Sequence, residues 1–417
     1  MSSIGQARST LPAASAQPEG RARADSRRTS VRPALAIAGL LVSTRAIAFV
    51  AMLWAKHGDV AAAVQAASRL YDSAFYDLIV LHGYAVDPLY GHAASVFYPG
   101  YPLVVAAVYW PLRFVSSLFL SGSALSSFSD GTLLPLATLL VCNVALVAAL
   151  AVLWRLYLPR LGEPATLLGV GFLLTAPTSF FLSNGFSESL FVLAIAVAFL
   201  QAEKGRWISA GAAGAAACLI RFPGAFLVVP LALIWFQTAK PRPISRATIG
   251  AGTFAVGAIA YPAWLWATSG DALAYLHLQQ SHHRSLAGPV HAVGVVLTQA
   301  RDAGRALLGR PSGQRLIDVP TIAANSIALV AGAVTTLFGW TRLRAYEVVW
   351  VALVFLVPLV SGTGESLDRY WLAAFPFFFL LGWWLRRWPV AAFALMGLSA
   401  VWLFVLSYNF ARIVWVG

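Results

Sequence analysis

Charge is what this sequence has least of. Asp, Glu, Lys and Arg together make up only 11% of its 417 residues, while 59% are hydrophobic. A soluble domain of that size would need more charge to cover its surface, so a soluble fold is excluded. Cysteine is nearly missing as well. Cys142 and Cys218 both sit in apolar stretches, which excludes a disulfide framework and a thiolate metal site. Three of the seven histidines, His277, His282 and His283, come close together but lack the i,i+4 spacing that sets two imidazoles on one helix face. No metal site is expected. The chain also has no G-x-S-x-G, Walker A or dinucleotide fingerprint, so no cofactor is expected.

What the sequence has in abundance is apolar length. Stretches near 20 residues, enough to cross ~30 Å of hydrocarbon, recur from position 34 to the end of the chain. The reading is an all-α polytopic membrane protein. Expected spans are 34–54, 133–157, 165–183, 187–202, 206–220, 222–237, 247–268, 321–340, 346–361, 370–385 and 390–412. The stretch 98–126 either adds two more helices, the reading preferred here, or lies in the outer interface, so the total is about eleven to thirteen.

Residues 1–33 carry six arginines against Glu19 and Asp25, a balance of +4, with little apolar content. They are expected to be a disordered basic cytoplasmic tail ahead of a signal anchor, with residues 34–417 forming one transmembrane domain. The overall charge of +13 follows membrane orientation and does not indicate nucleic acid. Basic clusters at Arg155/Arg160, Lys204/Arg206, Lys240/Arg242/Arg246, Arg342/Arg344 and Arg386/Arg387 fall where inside loops are expected. Two large extracytoplasmic loops, 55–97 and 269–320, then face outward. The second holds an amphipathic run, 293–310, whose Arg301, Arg305 and Arg310 suit a helix at the outer surface beside membrane lipids.

Most carboxylates and all seven histidines fall on that outer side. The first loop, residues 71–102, holds Asp72, Asp77, Asp87, His82, His92 and six tyrosines, among them Tyr71, Tyr76, Tyr84 and Tyr98. Asp72 is either a functional carboxylate or the N-cap of a helix starting at Ser73. Asp72 and Asp77, five residues apart, do not stack on one helix face, so a coupled dyad is not expected. Further along, Glu188 sits at a tight outer turn in SNGFSESLF, and Arg221 precedes a Pro-Gly break in CLIRFPGAF. Asp368, Arg369 and Tyr370 open SLDRYWLAAFP. Arg45, within the first span, needs an internal carboxylate or carbonyl partner, because an arginine at mid-membrane costs roughly 2.5–3.5 kcal/mol even on the lenient insertion scale.

These pieces together resemble the PIG-V family of GPI mannosyltransferases, within the GT-C class of polytopic glycosyltransferases. The residues that carry the resemblance are YDSAFYDLIVLHGY (71–84), FYPGYP (97–102), PTSFFLSNGFSESLF (177–191), CLIRFPGAF (218–226) and DRYWLAAFP (368–376), in order from about residue 34 to 390. Tyr71 stands where the family usually has tryptophan. The resemblance implies a GT-C fold, a lipid-phosphate sugar donor such as polyprenyl-phosphate mannose, and Asp72 as the catalytic base. The acceptor stays open between a glycolipid, a glycan and a protein. On that reading Arg221 and Arg369 bind the donor phosphate. Tyr71, Tyr76, Asp77, His82, Tyr84, Tyr98, Glu188, Asp368 and Tyr370 are candidate substrate contacts. The rival readings are a transporter or lipid flippase and a non-catalytic subunit of a larger assembly.

Overall fold

A computed structural model of the chain describes residues 19–84, 93–238, 246–280, 287–311, 314–360, 362, 366–414 and 416. Among them there is no β-strand, and helices carry the whole architecture. The first eighteen residues of the expected tail lie outside the described residues, as do Asp87, His92, Lys240, Arg242, His282, His283 and Glu365.

Helix α1 (Glu19–Ala55) contains the first apolar span, Arg32–Ala55. Two short helices follow, α2 (Val60–Arg69) and α3 (Asp72–His82), and then α4 (Gly100–Ser117). Helix α5 (Gly122–Phe128) leads through a π-helical turn into α6 (Leu134–Leu161). The middle of the chain forms α7 (Glu163–Thr175), α8 (Glu188–Glu203), α9 (Trp207–Ile220), α10 (Val228–Thr238) and α11 (Arg246–Ser269). After α12 (Ala274–Gln280) and α13 (Pro289–Leu307) come α14 (Val319–Phe338), α15 (Ala345–Val360), α16 (Leu367–Ala373), α17 (Pro376–Leu385) and α18 (Pro389–Ala411). The amphipathic run of the second loop is largely α13. It buries Ala292, Val296 and Ala303 and leaves Arg301 and Arg305 outside, each beside Asp302.

Among the described residues, five helical stretches are long and apolar enough to cross a membrane: Arg32–Ala55, Gly122–Leu161, Arg246–Ser269, Leu316–Thr341 and Pro389–Ala411. Their outer faces carry bare apolar side chains. Val390, Phe393, Leu398 and Val401 on α18 are exposed, as are Leu35 and Val42 on α1. Hydrocarbon tolerates such faces and water does not. The apolar helices between them are shorter. The 13 residues of α7 rise only ~20 Å, and a 3₁₀ turn with Phe180, Phe181 and Leu182 wholly buried continues the segment. Irregular backbone at membrane depth is tolerated when protein surrounds it, as here.

The stretch 98–126 departs from expectation. It holds one long helix, α4, and the second expected helix is the first part of a 40-residue helix that runs unbroken from Gly122 to Leu161. The expected span started at 133, but the π turn over Ser129–Leu133, just ahead of the Pro135 ring, joins it to the stretch before it.

Helix α8 forms the axis of the core. It packs between α6 and α9, and all but a few of its side chains are buried. Its neighbour α9 lies against α11 at very short range, because a Cβ on Gly211 would overlap the backbone of Gly250. At the far end of α8, Glu203 pairs with Arg344 at 2.7 Å. Beside it the fully buried Glu347 takes both Arg160 nitrogens at 2.8 Å. The near end, about 22 Å away along the helix, holds Glu188.

Candidate active site

Glu188 is the first residue of α8, where the free N–H groups and the helix dipole favour a carboxylate. Its side chain is only 3% exposed, so its charge needs compensation, and two arginines supply it. Arg221 Nη1 donates to Glu188 Oε1 at 2.5 Å, and Arg369 donates to the same oxygen through Nε at 3.0 Å and Nη2 at 2.7 Å. The second oxygen, Oε2, is buried with no hydrogen-bond partner among the described residues. Arg369 Nη2 also meets Asp72 Oδ2 at 2.8 Å. Four charged groups from four separate segments thus form one chain of contacts, Asp72–Arg369–Glu188–Arg221. Its formal charges sum to zero.

Local backbone explains how each group arrives. Arg221 ends α9 in an extended conformation, and the Phe-Pro-Gly turn that follows prevents the helix from running on. Arg369 lies in the first turn of α16, after Ser366, a buried residue with φ of +64°. Asp72 opens α3 after Tyr71, whose φ is +56°. Non-glycine residues rarely hold such angles, which cost of order 1–3 kcal/mol and cluster at sites where geometry matters more than stability. Asp72 is therefore not the N-cap that its position allowed. It is the first helical residue, and its carboxylate is spent on Arg369.

The loop before Glu188 is fixed from three sides. Gly185 N–H donates to Ala67 O at 2.9 Å, and a Cβ there would overlap Ser68 O, so the close approach to α2 requires glycine. Tyr76 Oη donates to Ser187 Oγ at 3.2 Å. Arg45 reaches the same region from α1. It donates to Leu174 O, Ser179 O, Ser179 Oγ and Ser183 Oγ at 2.6–3.1 Å. Its partners are carbonyls and hydroxyls with no carboxylate among them, and it satisfies the orphan carbonyl at the end of α7. Phe181 and Phe186 place their rings 4.6 and 5.0 Å from the Arg369 guanidinium, and Tyr370 lies 5.3 Å from that of Arg221. Glu188, Phe191, Arg221, Arg369, Tyr370 and Ala373 line a small cleft.

The structure thus gathers Asp72, Glu188, Arg221, Arg369 and Tyr370 into one site, with Tyr76 one residue removed through Ser187. The Tyr71 ring lies 5.1 Å from that of Phe410, tilted against it by 46°. Other candidates lie elsewhere. Asp77 pairs with Arg69 at 2.8 Å, and burial pushes its carboxyl up to about 6 despite that partner. His82 ends α3 on the exposed surface. Tyr84 and Tyr98 belong to a separate aromatic cluster around Tyr261, where Tyr84 Oη donates to Phe97 O at 2.7 Å. Asp368 is wholly buried beside the site, and neither carboxylate oxygen has a hydrogen-bond partner among the described residues.

Sequence reasoning did not single out Phe181, Phe186, Gly185 and Ser187, although all four lie in the motif around Glu188. Their signal was the density of aromatic and small residues there. Among the described residues, no group of three or more His, Cys, Asp and Glu side chains is placed to hold a metal ion. No protein-family model matches the chain, and no curated protein matches it closely enough to count as a relative.

Proposed function

We propose that this protein is an integral membrane glycosyltransferase of the GT-C kind, similar to the PIG-V mannosyltransferases. It would move a sugar, mannose on that analogy, from a polyprenyl-phosphate donor to an acceptor hydroxyl on the extracytoplasmic face, with inversion. The observation that carries the reading is the chain of ion pairs Asp72–Arg369–Glu188–Arg221, whose last three members line one small cleft among largely apolar helices. Charged groups inside a membrane domain are expensive and are kept where function needs them.

In this reaction the acceptor oxygen attacks the anomeric carbon as the bond from that carbon to the phosphate oxygen breaks. The electron pair leaves on the lipid phosphate, and Asp72 takes the acceptor's proton. General-base help of this kind is typically worth ~10²–10⁴-fold. The lipid phosphate gains one negative charge on leaving, so it needs cations rather than a proton. Arg221 and Arg369 supply them through charge-assisted hydrogen bonds. Glu188 is the positioning residue. With one oxygen engaged by both arginines it holds them side by side, and the same engagement makes it a poor nucleophile, which favours a single displacement over a covalent intermediate. Tyr370, beside Arg221 in the cleft, is suited to the sugar face.

The test is purified protein in detergent with polyprenyl-phosphate mannose and a membrane extract as acceptor source. The reading expects stoichiometric release of polyprenyl phosphate with mannose appearing on the acceptor. Donor left intact under conditions where the protein remains folded would count against it.

A further inference from the structure

The proposed base and one of the proposed phosphate ligands are bound to each other, and the charge balance of the site gives that contact a purpose. Two carboxylates and two guanidiniums cancel, so the site at rest offers an anion no surplus positive charge. A lipid phosphate meets a full unit of uncompensated positive charge when one carboxylate gives up its arginine. The two carboxylates are held unequally. Glu188 accepts three N–H groups on one oxygen and is buried, whereas Asp72 takes a single contact from Arg369 and its side chain is 24% exposed. Asp72 can exchange its partner for water, while Glu188 would be left charged in a dry interior. Asp72 is therefore the group that yields.

We propose that the Asp72–Arg369 ion pair is a latch opened by the donor's phosphate. Resting on the lipid-phosphate reading above, the inference is that the anion displaces Asp72 from Arg369 Nη2, and that the carboxylate becomes a free base only when a donor is bound. An acceptor arriving at an empty site meets a base engaged with Arg369. After transfer Asp72 carries the acceptor's proton and no longer competes for Arg369, while the lipid phosphate carries the extra charge. Departure of the lipid phosphate and loss of the proton restore the pair. The backbone strain at Tyr71 and Ser366, one before each partner's helix, lies at the two joints such an exchange would turn about.

The latch makes a prediction opposite to that of an ordinary binding residue: removing Asp72 should strengthen donor binding. The probe is farnesyl phosphate, with uncharged farnesol as the reference, titrated into purified wild type, Asp72→Asn and Asp72→Ser. Melting curves confirm that each is folded, and the serine variant serves if the asparagine one is not. With the competing carboxylate gone, farnesyl phosphate should bind roughly tenfold more tightly to the variants, and farnesol equally to all three. The gain should vanish when Arg369→Gln is added. Equal or weaker binding of farnesyl phosphate by folded variants would overturn the latch and leave the donor reading in place. No preference of any of the proteins for farnesyl phosphate over farnesol would overturn both.

Discussion

Asp72 Oδ2 lies 2.8 Å from Arg369 Nη2, and the same nitrogen lies 2.7 Å from Glu188 Oε1. One guanidinium thus joins a partly exposed carboxylate in the first loop to a buried carboxylate at the head of α8. The contact brings the motif at residue 72 to the motif at residue 369. It makes the chemistry of each depend on the other.

Glu188 is the group whose loss should harm the fold most. Replacing it with Gln leaves the buried Arg369 and the partly buried Arg221 with one carboxylate between them. Breaking a buried pair by removing one partner typically costs 3–5 kcal/mol, so Glu188→Gln should show a clearly lower melting temperature in detergent. A melting curve unchanged from wild type would contradict the ion-pair geometry.

Arg221 donates one N–H to Glu188 and presents its face to Tyr370. Lysine would keep the charge and lose the planar fork that can serve carboxylate and phosphate together. Arg221→Lys should fold, and should lower sugar transfer more than tenfold if the missing contact is worth about 1.4 kcal/mol or more at the leaving phosphate. Full activity in that variant would remove Arg221 from phosphate binding.

Burial holds the Asp77 carboxyl at about 6, above its ordinary 3.8, with Arg69 only partly offsetting the effect. A raised carboxyl means that folding takes up a proton between those two values. Its contribution is therefore present below pH 3.8 and lost as the pH rises through 6. Comparison with Asp77→Asn isolates it: wild type should lose roughly 2 kcal/mol relative to the variant between pH 4 and 6.5 and change little above pH 7. A difference that does not vary with pH would show that Asp77 titrates normally.

The seam between α9 and α11 should be intolerant of bulk. Gly211→Leu would force the two backbones apart, and overpacking of this kind usually costs 1–3 kcal/mol. Because α9 ends at Arg221, the same substitution should reduce activity more than it reduces folded yield. Equal losses in both would indicate a purely global effect.

Much of this was legible in the chain. Several helix ends followed the charges that bound apolar runs: α9 ends at Ile220, between Arg206 and Arg221, and α11 covers the expected 247–268 span. The residues of the site were legible as types, since carboxylate and arginine at the ends of apolar segments are costly. Their pairing was not. Asp72 and Arg369 meet only through tertiary packing that no local pattern encodes, and Asp77 found its partner eight residues upstream on a different helix. The continuity of residues 122–161 was hidden for another reason, since the π turn that joins its two parts is not a local signal.

The most direct test of the central claim uses membranes from cells expressing wild type or Asp72→Asn at equal levels, supplied with radiolabelled polyprenyl-phosphate mannose. The account predicts label on an extractable acceptor with wild type and a loss of at least ~10²-fold with the variant. Equal labelling by both would contradict it, because transfer would then proceed without the carboxylate that Arg369 holds.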